Sequence, residues 1–237
     1  MAFESMTKPY NERLLNERTF RGRLHLARYF WLEDELKRLH LKNISVLELG
    51  CFDGKAINYI DHPVKYAGYD ANWENGLDIA KELWKNEPSY SFYECYKPAE
   101  FNPAKEKFDI TVCQEVLEHL RSDDLKEYIE ILAASTKQYC FVSVPNESGL
   151  FFLSKFILKK ITQGEDETYS LKEILNTTFG RINKVERSEH GHKGFDYKAL
   201  IILLSEYFEI VDIKGIPFSW LPKSLNFSIA LVLKPRP

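Results

Sequence analysis

The chain is poor in the residues that mark disulfide-rich, fibrous or disordered proteins. Its 237 residues include ten prolines, eleven glycines and four cysteines, with no C-x-x-C pair. So little proline and glycine excludes collagen-like and low-complexity chains. The cysteines lie in or beside apolar segments, which favours reduced and buried thiols: Cys51, Cys95, Cys113 and Cys140. The composition therefore indicates a globular protein with one ample domain or two small ones.

The sequence also lacks a basic excess and a long apolar segment. Thirty-two basic and 35 acidic residues give a formal charge of −3, which disfavours a nucleic-acid partner because phosphate binding usually brings an excess of Lys and Arg. The longest strictly apolar stretch, 199–204, is far shorter than the roughly 20 residues that span a bilayer. Glu4, Glu12 and Arg13 interrupt the region where a signal peptide would need apolar residues. We therefore expect a cytoplasmic protein.

Short apolar segments alternate with helical patterns along most of the chain. The segments predicted as strands are 45–50, 66–70, 90–95, 108–113, 139–144, 208–213 and 227–233. Helices are predicted at 55–60, 74–85, 123–136 and 197–206. Strands and helices that alternate in this way form a mostly parallel sheet with helices on both faces. The sequence therefore predicts an α/β fold.

Two segments lie outside this alternation. Residues 1–44 are interpreted as a helical N-terminal extension of the domain at 45–237, because leucines and aromatics recur there at helical spacing. The alternation of strands and helices is interrupted again over about 147–190, and an insertion of that length is usually functional, often a lid. Within it, 150–161 combines apolar residues with lysines. This segment could contact an anionic membrane surface as an amphipathic helix, or pack as a lid over a substrate or as a dimer contact.

A glycine turn and a distant acid predict a nucleoside pocket. Glu48-Leu-Gly50-Cys-Phe-Asp-Gly54 follows the first predicted strand, where open parallel sheets bind their ligands. Glycine permits the tight turn, and the free N–H groups at a helix start can face a ligand. Asp70 ends the second strand, 22 residues after Glu48, a spacing typical of an acid that accepts hydrogen bonds from ribose hydroxyls. The carboxylate of Glu48 suits a cationic ligand better than a pyrophosphate.

These motifs resemble those of the class I S-adenosylmethionine-dependent methyltransferases, whose first motif is E/D-x-G-x-G-x-G. Glu48, Gly50 and Gly54 match it, and Phe52 replaces its middle glycine. Further matches are Asp70, the fourth-strand segment 108–116 and the fifth-strand ending 141–146. The resemblance spans about 45–233 and implies a Rossmann-like, seven-stranded, mostly parallel sheet with an antiparallel last strand.

The resemblance also implies which residues hold the cofactor, S-adenosylmethionine, and release S-adenosylhomocysteine. Asp70 would bind both ribose hydroxyls, the backbone around Gly50 and Cys51 would bind the methionine end, and Gln114 would lie close to the sulfonium. The ring of Phe52 would have to turn away from the methionine. The complete cofactor set is Glu48, Gly50, Cys51, Phe52, Gly54, Asp70, Ala71 and Gln114.

The segment Glu115-Val-Leu-Glu118-His119 predicts a second cluster. On a helical turn, positions i, i+3 and i+4 share a face, so two carboxylates and an imidazole would converge, as in a site for a divalent ion. The motif resembles E-x-x-E-H in the terminal-ribose O-methyltransferases of small RNAs and the O-methyltransferases of ubiquinone synthesis. In the RNA branch a later histidine completes the metal site, here His192 or its rival His190. The predicted metal ligands are Glu115, Glu118, His119 and His192.

A metal-free reading stays open, in which His119 or His190 is the catalytic base. With or without an ion, we expect O-methylation of a hydroxyl on a sugar, glycan or other small metabolite. The sequence lacks the acidic or Asn residue followed by Pro-Pro-Tyr that is typical of nitrogen methylation. The alternatives are terminal-ribose methylation of RNA and, because of Phe52, a cofactor-binding subunit without activity. The oligomeric state stays open.

Overall fold

The computed structural model describes residues 11, 14–103, 106–163, 169–188 and 191–236, and one seven-stranded sheet is its central feature. The strand order is β3-β2-β1-β4-β5-β7-β6. Strands β1 to β5 run parallel, and β7 is antiparallel to both of its neighbours. The strands are β1 (Ser45–Leu49), β2 (Lys65–Asp70), β3 (Tyr90–Glu94), β4 (Phe108–Gln114), β5 (Thr136–Pro145), β6 (Phe208–Ile216) and β7 (Ser228–Pro235). The predicted Rossmann-like sheet is confirmed.

Helices cover both faces of the sheet, as the alternating pattern predicts. They are α1 (Phe20–Arg38), α2 (Gly76–Leu83), α3 (Ser122–Ser135), α4 (Gly149–Gln163), α5 (Leu171–Thr178) and α6 (Tyr197–Tyr207). One core layer joins α1 and α2 to the sheet through residues such as Leu32 and Leu77. The other joins α3 and α6 through Leu132 and Leu204. All four cysteines are buried free thiols.

The first crossover differs from the prediction. The helix predicted at 55–60 is a single 3-10 segment, Lys55–Tyr59. Only a few residues separate the glycine turn from β2, and Pro63 disfavours helical geometry in the residue before it. Helix α1 covers this face instead, where Tyr29 stacks on Tyr59 with 5.2 Å between ring centroids. Helix α1 is therefore part of the core that supports the glycine turn.

The segment between β5 and α6 contains α4 and α5, which pack against each other. Phe152 is buried, and the ring of Tyr169 lies 5.2 Å from it and 5.7 Å from Phe156, centroid to centroid. Among the described side chains of the apolar segment 150–161, Leu150 and Ile157 are exposed, and they are the described apolar residues available to the membrane-contact alternative. None of the described helices combines the length and apolarity needed to cross a bilayer.

Candidate functional site

The glycine turn packs directly against the end of β4. Gly50, Phe52 and Gly54 all have left-handed backbones, with φ of 79°, 47° and 71°. A Cβ on Gly50 would lie 2.1 Å from Cγ2 of Val116, so only glycine allows this approach. Phe52 adopts the conformation that a glycine would favour, and its ring covers Gly76 at the start of α2. The turn therefore keeps its shape although the middle glycine is missing.

Asp70 holds the glycine turn from the neighbouring strand. Its Oδ2 accepts a hydrogen bond of 3.0 Å from the backbone N–H of Phe52. Burial raises the pKa of Asp70, and the N–H groups of Phe52, Asn72 and Trp73 oppose that rise. The carboxylate therefore contacts the turn, and the residue after Asp70, Ala71, is exposed. This arrangement fits an acid that faces a bound ribose.

Glu48 is buried beneath the turn. The hydroxyl of Tyr66 donates a short hydrogen bond to its Oε2. Gly68 makes room for this pair, because a Cβ there would lie 2.9 Å from Cε1 of Tyr66 and 2.6 Å from Sγ of Cys51. Burial raises the pKa of Glu48 to about 8, although the Tyr66 hydrogen bond and the charge of Arg28 oppose the rise. Without a cationic ligand, Glu48 is therefore mostly protonated at neutral pH.

Arg28 on α1 is a site residue that our sequence analysis missed. Gln114, at the end of β4, donates a hydrogen bond of 3.0 Å from Nε2 to the backbone carbonyl of Arg28. The Arg28 charge lowers the pKa of Glu48, Glu115 and Glu118, although burial raises all three overall. The sequence does contain a signal for a functional role of Arg28, because it is the only Lys, Arg, Asp or Glu in the apolar stretch 24–32.

Glu118, His119 and His192 form a compact cluster beside the turn. One ligand atom from each lies within 4.8 Å of the others. Nε2 of His119 is 3.7 Å from Oε1 of Glu118, and the two histidine rings are 4.8 Å apart, centroid to centroid. Glu118 is fully buried, and no other described residue donates a hydrogen bond to its oxygens, while its own backbone N–H opposes the rise of its pKa. Burial and the charge of Glu115 raise its pKa well above the ordinary value. Such a donor set fits a divalent cation.

The structure corrects the predicted geometry of Glu115. The helical turn predicted over 115–119 does not form, because Glu115 has a left-handed backbone with φ of 59° and only 117–119 is a 3-10 turn. Ser143 donates a hydrogen bond of 3.3 Å to Oε1 of Glu115, and Ser228 also bonds this carboxylate. Glu115 therefore lies outside the group of converging ligand atoms. It influences the cluster through its charge.

Of the two candidate histidines near the end of the lid, His190 lies outside the described residues. His192 reaches the cluster, and its Nδ1 is 3.9 Å from Oε1 of Glu147. Glu147 is buried and forms a short ion pair with Lys155 of α4. Our sequence analysis did not single out Glu147, since a lone acid after a strand carries no distinctive pattern. The lid thus contributes a charged pair beside His192.

A family model for the methyltransferase domain matches residues 23–193, which is most of the chain. The chain belongs to the class I methyltransferase family. It is therefore an S-adenosylmethionine-dependent enzyme. The buried Oε1 of Gln114 has no hydrogen-bond partner among the described residues. Together with the left-handed glycines, this free acceptor fits a turn built to hold the cofactor.

Solved methyltransferases share the fold of this methyltransferase at low sequence identity. The methyltransferase domain of a bacterial CtHen1 is 16% identical with a TM-score of 0.57, covering 89% of this chain and 99% of that one. Magnesium protoporphyrin IX methyltransferase from Synechocystis PCC 6803, with bound S-adenosylhomocysteine, is 14% identical with a TM-score of 0.58 and coverages of 95% and 92%. The N-methyltransferase NodS from Bradyrhizobium japonicum is 16% identical with a TM-score of 0.55 and coverages of 96% and 97%. No curated protein matches the sequence.

Proposed function

We propose that this methyltransferase methylates a hydroxyl oxygen of a sugar, glycan or other small metabolite, with a divalent cation held by Glu118, His119 and His192. The observation that carries the proposal is the convergence of these three side chains around a fully buried carboxylate that accepts no hydrogen bond from another described residue. Two of its residues, Glu118 and His119, closely follow Val116, whose side chain packs against Gly50 of the glycine turn. The acceptor would thus lie beside the cofactor.

The chain's own residues explain how the cofactor would be held. The turn from Gly50 to Gly54 and the carboxylate of Asp70 lie at the same edge of the sheet, although the N–H groups of Gly50, Cys51, Phe52 and Gly54 bond within the chain. Arg28 supplies a positive charge for the carboxylate of the methionine, and Glu48 supplies a negative charge for its cationic groups. When bound, S-adenosylmethionine provides an activated methyl group, so catalysis depends mainly on proximity and alignment.

The cluster suits an oxygen acceptor. A divalent cation at Glu118 would lower the pKa of a coordinated hydroxyl. Without the ion, Nε2 of His119 would accept the hydroxyl proton instead, since this side chain is 44% exposed and its Nε2 lies 3.7 Å from Oε1 of Glu118. Asn146, at the end of β5, is committed to the fold, because its Nδ2 donates to the carbonyls of Lys223 and Asn226. It is therefore not available to bind an amine substrate.

Calorimetry with S-adenosylhomocysteine, followed by metal analysis, tests the proposal. We expect cofactor binding and a stoichiometric divalent ion in the wild type. Glu118→Gln should keep the cofactor affinity within about threefold and reduce the ion affinity by at least about tenfold, because the fully buried ligand loses its charge. Glu209→Gln changes an exposed acid on β6 and is the matched control. If ion-free wild-type protein still methylates hydroxyls, the cation is not part of the mechanism, and His119 is then the base.

A second candidate function is methylation of a terminal ribose in RNA. The fold similarity to the small RNA methyltransferase HEN1 favours it, while the net charge of −3 opposes it. An acceptor screen should therefore compare vicinal diols on small molecules with the terminal ribose of a short RNA. If the enzyme methylates only the RNA, and added salt lowers its activity on RNA, the second function is the correct one. Turnover on any acceptor would eliminate the reading of the chain as an inactive cofactor-binding subunit.

A further inference from the structure

The two halves of the cluster come from distant parts of the chain. Glu118 and His119 lie in the 3-10 turn after β4, whereas His192 lies in the loop that leads from the lid to α6. Some 70 residues separate them, so their positions relative to each other must depend on a tertiary contact and not on the local backbone. We infer that Arg187 is the positioning residue that fixes His192 against Glu118. The inference rests on the proposed function, because it concerns the same ligand cluster.

Arg187 donates hydrogen bonds to both halves. Its Nη2 bonds the backbone carbonyl of Glu118 at short range. Its Nη1 bonds the carbonyls of Gly191 at 2.6 Å and Lys193 at 3.2 Å, the residues on either side of His192. One guanidinium group therefore joins the turn that carries Glu118 to both neighbours of His192. Since all three acceptors are main-chain atoms, the contact fixes the position of the backbone and does not involve the side chains of the ligands.

The loop around Arg187 is folded to receive these bonds. The N–H of Ser188 donates to the carbonyl of Lys193 at 3.1 Å, so the two ends of the loop are paired. Gly194 has φ of 74°, and a Cβ there would lie 2.8 Å from the carbonyl oxygen of Glu186 and 3.0 Å from Cα of Arg187. The guanidinium carbon is 5.5 Å from the ring centroid of Phe195. Glycine at 194 thus allows the chain to fold back on the arginine.

Arginine suits this task because its planar group presents five N–H donors in fixed directions. A lysine keeps the charge, but its compact ammonium cannot bond carbonyls on two separate segments with the same geometry. Replacement by lysine therefore separates an effect of position from an effect of charge. Lys193 and Glu173 form a further ion pair of 2.8 Å between this loop and α5, which should keep the lid folded in such variants.

The test uses the full-length protein with Arg187→Gln, Arg187→Lys and Gly194→Ala. Arg181→Gln changes an exposed arginine of the same lid and is the matched control. With histidine labelled in the rings, a nuclear Overhauser contact between His119 and His192 reports their approach directly. Titration with Mn²⁺ alone measures ion affinity, and S-adenosylhomocysteine affinity shows that each variant is folded.

We expect the ring contact in the wild type and in Arg181→Gln, and its loss in all three loop variants. Their Mn²⁺ affinity should fall at least about tenfold while cofactor affinity stays within about threefold. Arg187→Gln that keeps both the ring contact and the Mn²⁺ affinity would overturn the inference, as would Arg187→Lys that behaves as the wild type. If the wild type binds no Mn²⁺, the cation in the proposed function fails, and the ring contact alone then decides the role of Arg187.

Discussion

Replacement of Glu48 by glutamine should stabilise the cofactor-free protein and weaken cofactor binding at the same time. Burial raises the pKa of Glu48 from its ordinary value of 4.5 to about 8. The folded protein therefore holds a proton there that the unfolded chain releases above pH 4.5. Folding stability must fall as pH rises from about 4.5 to about 8, because the native state binds the extra proton. Glutamine has no proton to hold and removes this penalty.

The size of the effect follows from the pKa change. One pKa unit corresponds to about 1.4 kcal/mol, so the penalty at pH 7 is on the order of 3 kcal/mol and is less than about 1 kcal/mol at pH 5. The Tyr66 hydroxyl can still donate to the amide oxygen of glutamine, which keeps the buried hydrogen bond. For a chain of this length, a gain of that size raises the melting temperature by roughly 6–12 °C.

Urea denaturation of wild type and Glu48→Gln at pH 5, 6, 7 and 8, without cofactor, measures the difference. Titration with S-adenosylhomocysteine should show a loss of affinity of about 10- to 100-fold, since a hydrogen bond to a charged group contributes about 1.5–3 kcal/mol. Glu209→Gln, on the exposed face of β6, should change neither quantity. A stability difference between wild type and Glu48→Gln that is the same at pH 5 and pH 8 would refute the reasoning.

Two further substitutions test the glycine turn. Asp70→Asn should weaken S-adenosylhomocysteine binding at least about tenfold in calorimetry, because the carboxylate that accepts the Phe52 N–H, and that we propose binds the ribose, loses its charge; unchanged affinity would mean that Asp70 has no such role. Gly76→Ala should destabilise the fold by about 1–3 kcal/mol in urea denaturation, because the new Cβ would lie 2.5 Å from Cδ2 of Phe52. Adding Phe52→Ala should restore most of that loss, and a double variant as unstable as Gly76→Ala would contradict the contact.

The local pattern of the sequence was enough to predict the sheet. Strand segments such as 108–113 and 139–144 are short, apolar and rich in β-branched residues, so they have few alternatives to a buried strand. The glycine turn was predictable for a similar reason, since the left-handed φ at Gly50 and Gly54 reflects a property of glycine itself. Alternation of strands and helices then left few possible topologies.

The candidate site was predictable only in part. The sequence pointed to Glu118, His119 and His192, whose ligand atoms the structure brings within 4.8 Å. It misplaced Glu115, because a helical turn was assumed where the backbone at that residue is left-handed. The difference between a helical turn and a bend depends here on packing across the sheet, where the N–H of Glu115 bonds the carbonyl of Ser143 on β5. That packing is not encoded in the spacing of the acids.

The sequence by itself determined the helices and strands and the residues able to take part in chemistry, because local spacing and side-chain type control both. Only the tertiary structure decided which of those residues meet. Arg28 approaches the acids at the ends of β1 and β4 because α1 covers the face left open by a short 3-10 crossover. Arg187 joins the lid to Glu118 because a loop folds back at Gly194. Contacts between segments so far apart depend on how the whole chain packs, and no local pattern specifies them.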